Sequence, residues 1–262
     1  MKVTRRSSLV AMLGLVAAGC GGGGSGGTTS TMAGSVRTES ISAQSNGTTY
    51  PLYIYLPPGT VATRSNLPTV YLLDGGSRFQ TMVDIVETGH LQVMIVAIGN
   101  EALRARDYVP ANTCTPGGGG QAAFLQFIRT ELVPFVEATF GSDPQRRILL
   151  GHSHGGSFVL YALFNEVPAS RLFKAYLASD SSIDCMSATV FGWEAAYFAA
   201  NTALPVRLHV SYSANLGGNV ALVQQLQLRG YTGLSMVAQF YAGGHTGMIP
   251  AAFTDALTFA LA

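Results

Sequence analysis

Charge is what this 262-residue chain has least of: 11% of its residues are Asp, Glu, Lys or Arg. No run of basic residues marks a nucleic-acid site, so no nucleic-acid partner is expected. Cysteines number three, and no Cys/His cluster has the spacing of a metal site, so neither a metal nor another cofactor is expected. No internal repeat is visible. No apolar run is long enough to cross a membrane; Leu9 to Ala18 is too short. Apolar residues make up 48% of the chain, enough for one large core, and the length suits a single α/β domain.

The N-terminus reads as an export signal. Arg5 and Arg6 supply the positive segment, Leu9 to Ala18 the apolar segment, and Ala18-Gly19 a small-residue cleavage site. Val16-Ala17-Ala18-Gly19-Cys20 resembles a bacterial lipobox, in which the cysteine is lipidated after cleavage. Residues 1–19 are therefore expected to be a lipoprotein-type signal peptide. Its removal takes Lys2, Arg5 and Arg6 and leaves twelve basic against fourteen acidic side chains, a net charge of −2. Residues 20–34, rich in Gly, Ser and Thr, cannot bury enough surface to fold and read as a tether. Residues 35–262 are the folded domain. An exported, lipid-anchored protein of the bacterial periplasm or cell surface follows, with membrane contact only through Cys20. In such a compartment Cys114 and Cys185 are expected to form a disulfide beside the active site.

Hydrophobic patterning gives the domain's order. Val36–Ser45 and Thr48–Leu56 alternate as a hairpin about Asn46-Gly47. Pro68–Leu73 and Val93–Ile98 are continuous apolar runs, the mark of strands buried on both faces. Arg78–Thr88 reads as a helix, Glu101–Gly120 as a long irregular loop, and Gln121–Phe140 as an amphipathic helix kinked by Pro134. Strands are expected at Arg147–Leu150, Phe173–Leu177, Val206–Tyr212 and Met236–Tyr241. Helices are expected at Ser157–Phe164, Ala188–Asn201, Val220–Leu228 and Ile249–Leu261. The fold class is α/β: a mostly parallel sheet with an N-terminal antiparallel hairpin and helices on both faces. Ligand sites in such sheets lie at the carboxyl ends of the strands, where Asp74, Ser153, Asp180 and His245 fall.

The chemistry centres on Gly151-His152-Ser153-His154-Gly155, a G-x-S-x-G between a strand and a helix. That context is a nucleophile elbow, with Ser153 on a strained turn and Gly151 and Gly155 avoiding collisions. A serine hydroxyl needs a base to take its proton. Of five histidines, His245 fits by order, after the last strand in a glycine-rich loop. His90 comes too early, His209 lies within a strand, and His152 and His154 are expected to point away from the reacting face and to pack or line the rim. The third member is open. No carboxylate follows Tyr212, where Ser213-Ala214-Asn215 stands. Asp180, after the preceding strand, either orients His245 or caps a turn; otherwise the site is a Ser–His dyad. The backbone N–H groups of His154 and Gly76 are expected to form an oxyanion hole, with Asp74 bracing its loop. Arg104, Arg106 and Tyr108 read as solvated loop residues.

The stretches V-Y-L-L-D-G-G (70–76), I-G-N…R-x-R-D-Y-V-P (98–110), G-H-S-H-G-G (151–156) and G-G-H-T-G-M-I-P (243–250) resemble the esterase D-like branch of the α/β-hydrolases, especially bacterial siderophore esterases. The resemblance implies a carboxylic-ester hydrolase acting through an acyl-enzyme on Ser153, with His245 as general base and a small-molecule ester as substrate. The branch often carries a glutamate near Ala214 and a Ser-Pro-Ser-Leu-Trp-Trp-like run where this chain reads Ser179-Asp180-Ser181-Ser182-Ile183-Asp184. Both departures withhold substrate identity. The same machinery would also serve an acyltransferase or thioesterase, and a non-catalytic ligand-binding lipoprotein is the alternative outside enzymes.

Overall fold

The computed structural model describes residues 34–262 apart from Cys114. The expected signal peptide, Cys20, nearly all of the tether and Cys114 lie outside the described residues. Strands β1 (Ser35–Ser42) and β2 (Thr49–Leu56) form the hairpin, followed by a short helix α1 (Val61–Arg64). Then come β3 (Thr69–Leu72), α2 (Gly75–Thr88), β4 (Met94–Ile98), α3 (Arg104–Tyr108), α4 (Gln121–Phe127) and α5 (Val133–Phe140). The second half alternates regularly: β5 (Arg147–His152), α6 (His154–Asn165), β6 (Ala175–Ser179), α7 (Ser187–Ala200), β7 (Arg207–Tyr212), α8 (Leu216–Arg229) and β8 (Ser235–Phe240). A helical turn α9 (Gly244–Gly247) leads into α10 (Ile249–Leu261).

The strands make one eight-stranded sheet in the order β1-β2-β4-β3-β5-β6-β7-β8. The β1–β2 and β2–β4 pairs are antiparallel; the rest are parallel. The apolar runs are continuous because successive side chains enter two different cores. In β4, Met94, Val96 and Ile98 face one and Ile95 and Ala97 the other. In β5, Leu149 faces the first and Ile148 and Leu150 the second. The larger core lies under α4 to α8, filled by Phe124, Phe127, Phe158 and Phe173 among others. The smaller lies under α2 and α10, through Met82, Val83, Phe253 and Leu257.

This topology fixes where a ligand can sit. The chain leaves β3 for α2 on one face and leaves its neighbour β5 for α6 on the other. Divergent crossovers open a crevice at the carboxyl ends of the two strands, flanked by the N-termini of α2 and α6.

Four local expectations need correction. Glu101–Gly120 is not wholly irregular: a 3₁₀ turn (Glu101–Leu103) runs into α3. Within it Tyr108 is fully buried rather than solvated, its ring packed at a tilt against Phe124 and Phe158. The 121–140 helix continues through Pro134, but Ile128–Leu132 widens into a π-helical segment just before it. Proline has no N–H to donate and its ring crowds the carbonyl four residues back, so the extra residue per turn absorbs the conflict. The His245 segment is a helical turn entered through left-handed Gly243 (φ 104°) and Gly244 (φ 71°).

Candidate active site

Ser153 sits between the last residue of β5 and the first of α6, with φ 61° and ψ −121°. A non-glycine residue in that region costs about 1–3 kcal/mol and persists only where its surroundings over-determine it. Here they do. Ser153 N donates to Ser179 O at 2.8 Å, and Ser153 O accepts from Ser182 N at 3.3 Å and Ser157 N at 3.0 Å. Close approach also dictates glycine, although not at both expected positions. A Cβ on Gly151 would lie 2.4 Å from the Gly155 carbonyl oxygen. One on Gly155 would make looser contacts, with Asp74 Oδ2 at 3.4 Å and Leu73 Cβ at 3.5 Å. The second tight position is Gly156, whose Cβ would fall 2.6 Å from Ser181 Oγ and 2.8 Å from Ser179 O. The motif is better read as G-x-S-x-G-G.

Asp180 follows β6 and is fully buried, with left-handed backbone (φ 41°) that aspartate tolerates better than most residues. Its Oδ2 lies 2.6 Å from His245 Nδ1. Its Oδ1 accepts from Ser213 N at 2.7 Å and Asn215 N at 3.1 Å, and Asn215 Nδ2 donates back to Asp180 O at 2.7 Å. The segment after β7, which has no carboxylate, instead supplies donors that hold one from the adjacent strand. The aspartate is a turn residue and a histidine partner at once; the two expected roles do not exclude each other. Bonding through Nδ1 leaves His245 Nε2 without a hydrogen-bond partner among the described residues, and the His245 side chain is 39% exposed.

Ser153 Oγ makes its hydrogen bond, among the described residues, to Ser182 Oγ at 3.2 Å. Ser182 was not singled out by sequence, and a serine in a Ser-rich turn gives little signal. His152 is nearer the centre than expected. Its ring lies 4.5 Å from that of His245, centroid to centroid, tilted by 42°. It is buried, with Nδ1 3.1 Å from Ser179 Oγ. Burial first, then the neighbouring His245 and Arg78, push its pKa down to about 3, so this ring is neutral at any ordinary pH. His154 is half-buried at the rim, 3.3 Å from Thr115 Oγ1; burial and Arg104 lower its pKa. His209 is a buried residue within β7, and His90 is an exposed residue in the turn after α2.

The second wall is the turn from β3 into α2. Asp74 is left-handed (φ 56°) and buried. Arg104 grips it bidentately, Nε to Oδ1 and Nη2 to Oδ2, both at 3.1 Å. Burial still lifts its carboxyl above the ordinary range. Tyr108 Oη accepts from Asp74 N at 3.1 Å and donates a short hydrogen bond to Asn100 Oδ1. Asp74 thus braces the turn, and Arg104 belongs to the brace. Arg106 is likewise engaged, with Asp107, Tyr50 Oη and Thr48 Oγ1. Gly75 is required because a Cβ would lie 2.8 Å from the Ala97 carbonyl carbon. Gly76 and His154 occupy the first turns of α2 and α6, where N–H groups lack intrahelical acceptors. Among the described residues neither has another.

No group of three or more His, Cys, Asp or Glu among the described residues could hold a metal ion. The other buried acids are committed elsewhere. Glu166 is bound to Arg129 and Tyr176, and Glu194 to Arg229, Gln225 and Tyr231.

Residues 43–183 match the family model described as "Putative esterase". Among curated proteins, the chain is 32% identical over 168 residues to ferri-bacillibactin esterase BesA of Bacillus subtilis (55% of this chain, 57% of that one). It is 32% identical over 146 residues to apo-salmochelin esterase of Escherichia coli (48% and 45%). It spans about half the length of these relatives. Among solved structures, an IroE-like serine hydrolase from Shewanella oneidensis superposes with a TM-score of 0.75 at 25% identity, over 85% of this chain and 79% of that one. The BES protein from Bacillus cereus gives 0.75 at 23%, over 86% and 94%, a likeness of fold.

Proposed function

The chain belongs to the Putative esterase family, whose model covers more than half of it, and from that premise we propose that it is a serine hydrolase of carboxylic esters. The single observation that carries this is a strained serine at an elbow whose chain neighbour, His152, lies ring to ring with a histidine that is itself bonded to a fully buried carboxylate. In the reaction the Ser153 hydroxyl turns from Ser182 to His245. Ser153 Oγ attacks the ester carbonyl as its proton passes to His245 Nε2. Asp180 stays ionised, fixes the tautomer through Nδ1 and stabilises the imidazolium. The carbonyl oxygen becomes an oxyanion between the N–H groups of His154 and Gly76, where the ends of α6 and α2 also favour negative charge. The C–O bond to the alcohol breaks, and His245 returns its proton to the leaving oxygen. Water, deprotonated by His245, then attacks the acyl-enzyme; the C–O bond to Ser153 breaks, His245 passes the proton to Ser153 Oγ, and the acid leaves. His152, neutral and packed on His245, keeps the imidazole from swinging out of line.

Two further elements belong to the same proposal. Residues 1–19 direct export, and lipid on Cys20 anchors the domain through residues 20–34. Cys114 pairs with Cys185 as a disulfide; that Cys185 is disulfide-bonded supports this. The names of the relatives make siderophore esters the first substrates to try. The test is turnover of a short-chain p-nitrophenyl ester and of a catecholate siderophore ester, with Ser153→Ala and His245→Ala alongside. Hydrolysis of at least one ester, abolished in both variants, is expected. A folded wild-type protein that turns over neither, while binding one of them, would replace the hydrolase with a binding lipoprotein.

A further inference from the structure

The opposite edge of the sheet, where the parallel strands begin, gathers cations of which several have no acid paired to them. Arg147 starts β5, Lys174 precedes β6 and Arg207 starts β7. They stand in line, Lys174 N donating to Arg147 O and Arg207 N to Lys174 O, both at 2.9 Å. With Arg146 they line one cavity of about 240 Å³, walled on one side by Ala260 to Ala262. Of these four, Arg147 has an ion pair, with Glu137 at 2.6 Å. Arg146, Lys174 and Arg207 have none among the described residues. Arg146 and Lys174 are exposed. The Arg207 guanidinium lies 4.6 Å from the centre of the Phe259 ring, and its Nε is buried without a hydrogen-bond partner. The nearby Asp143 carboxylate is turned to its own chain, accepting from Gln145 N at 2.8 Å. Exposed Arg37 on β1 adds a charge farther along the sheet, whereas Arg64 near it is buried and spent on Phe140 O and Gly59 O. Arg146, Lys174 and Arg207, close together and with no ion pair among the described residues, repel one another, so an external anion would relieve them.

The extent of the edge says which kind. From β1 to β7 the charges are spread over six strand spacings, about 29 Å. One free phosphate would occupy the cavity and leave Arg37 unmet, whereas a layer of anionic headgroups meets the whole row. The chain also enters the fold here. Because β1 is antiparallel to β2, and β2 to β4, Ser35 lies at this edge. Gly34 N is held there by Glu87 Oε1 at 3.0 Å. Cys20 stands fourteen residues earlier, within about 50 Å of the edge even at full extension.

We propose that the strand-start edge of the sheet, centred on Arg146, Lys174 and Arg207, docks on an anionic phospholipid surface and turns the Ser153 crevice away from it. The orientation rests on the lipid-anchor reading above; the charge-driven docking does not. The chain processed at Cys20 and carrying Cys20→Ser, so that no lipid is attached, is sedimented with vesicles of phosphatidylcholine alone or with phosphatidylglycerol added. Binding to the anionic vesicles is expected, lost in high salt, and weakened about fivefold by each of R146Q, K174Q and R207Q and about a hundredfold by the three together. Ester turnover of the triple variant stays at the parent level, which separates failure of the edge from failure of the esterase. Equal binding to both vesicle types, or anionic binding unchanged in the triple variant, overturns the proposal. So does a thermal shift with inorganic phosphate without vesicle binding, which would make the cavity a small-anion site.

Discussion

The two edges of this sheet treat charge in opposite ways. Where the strands end, Arg104, Arg106 and His245 each face a carboxylate at 3.1 Å or less. Where they begin, Arg146, Lys174 and Arg207 face none among the described residues. Strain divides the same way. Asp74, Ser153 and Asp180, each within two residues of a strand's end, account for three of the five non-glycine residues with positive φ among those described. Paired, buried charge is what holds a strained backbone in place: Arg104 clamps the Asp74 turn, and two N–H groups clamp Asp180. An edge built for chemistry needs that rigidity. An edge built to meet an external surface needs free charges instead.

The largest effect expected from breaking this division is at Ser153. Ser153→Ala and His245→Ala should each lower kcat by about 10⁵–10⁶, and the double variant should be no worse than either, because the pair acts as a unit. Steady-state kinetics on a chromogenic ester checks this. Next comes Asp180→Asn, which keeps an oxygen for Ser213 N and Asn215 N and tolerates the left-handed backbone, but presents an amide to His245 Nδ1. It should fold and lose about 10³–10⁴ in kcat through the wrong tautomer. A loss below tenfold would mean that a Ser–His dyad suffices.

Stability sharpens the picture at the elbow. Gly156→Ala must push against Ser179 O and Ser181 Oγ and should cost about 2–3 kcal/mol in urea unfolding. Gly192→Ala, exposed in α7 with open space around its Cβ, should instead stabilise by about 0.5–1 kcal/mol. Stability also depends on pH. Burial lowers His209 from 6.5 to about 4 and His152 from 6.5 to about 3. Between pH 6.5 and 4 the unfolded chain binds protons that these folded rings refuse, so stability falls as pH falls through that window. Each contributes up to about 1.4 kcal/mol per pH unit. His209→Gln should flatten the acid side of a Tm-against-pH curve by about one proton.

How much of this the sequence discloses depends on distance along the chain. The strand order and the strand–turn–helix around Ser153 are local patterns, and the fold follows them. Apolar runs mark β3, β4 and β5 because both faces of each are buried, and Ile249–Leu261 matches its helix end to end. The candidate acid was legible only as one of two possibilities, because its position depends on β6 and β7 lying side by side. What Asn215 and Ser213 do for Asp180 is invisible without that pairing. Ser182 and the His152–His245 contact are likewise products of tertiary packing, as is Gly156, whose constraint comes from the turn after β6. The basic edge is the extreme case. Its central members lie at three separate strand starts, so no window of sequence contains a long basic run, yet the parallel sheet sets them in line.

The central claim is that Ser153 is a nucleophile activated by His245 and Asp180, and covalent trapping tests it most directly. The protein is treated with a fluorophosphonate and its intact mass and labelled peptide are determined. One adduct, on Ser153, absent in Ser153→Ala and formed far more slowly in His245→Ala and Asp180→Asn, is predicted. A folded protein that takes no label, or takes it equally well after Ser153→Ala, would contradict the account.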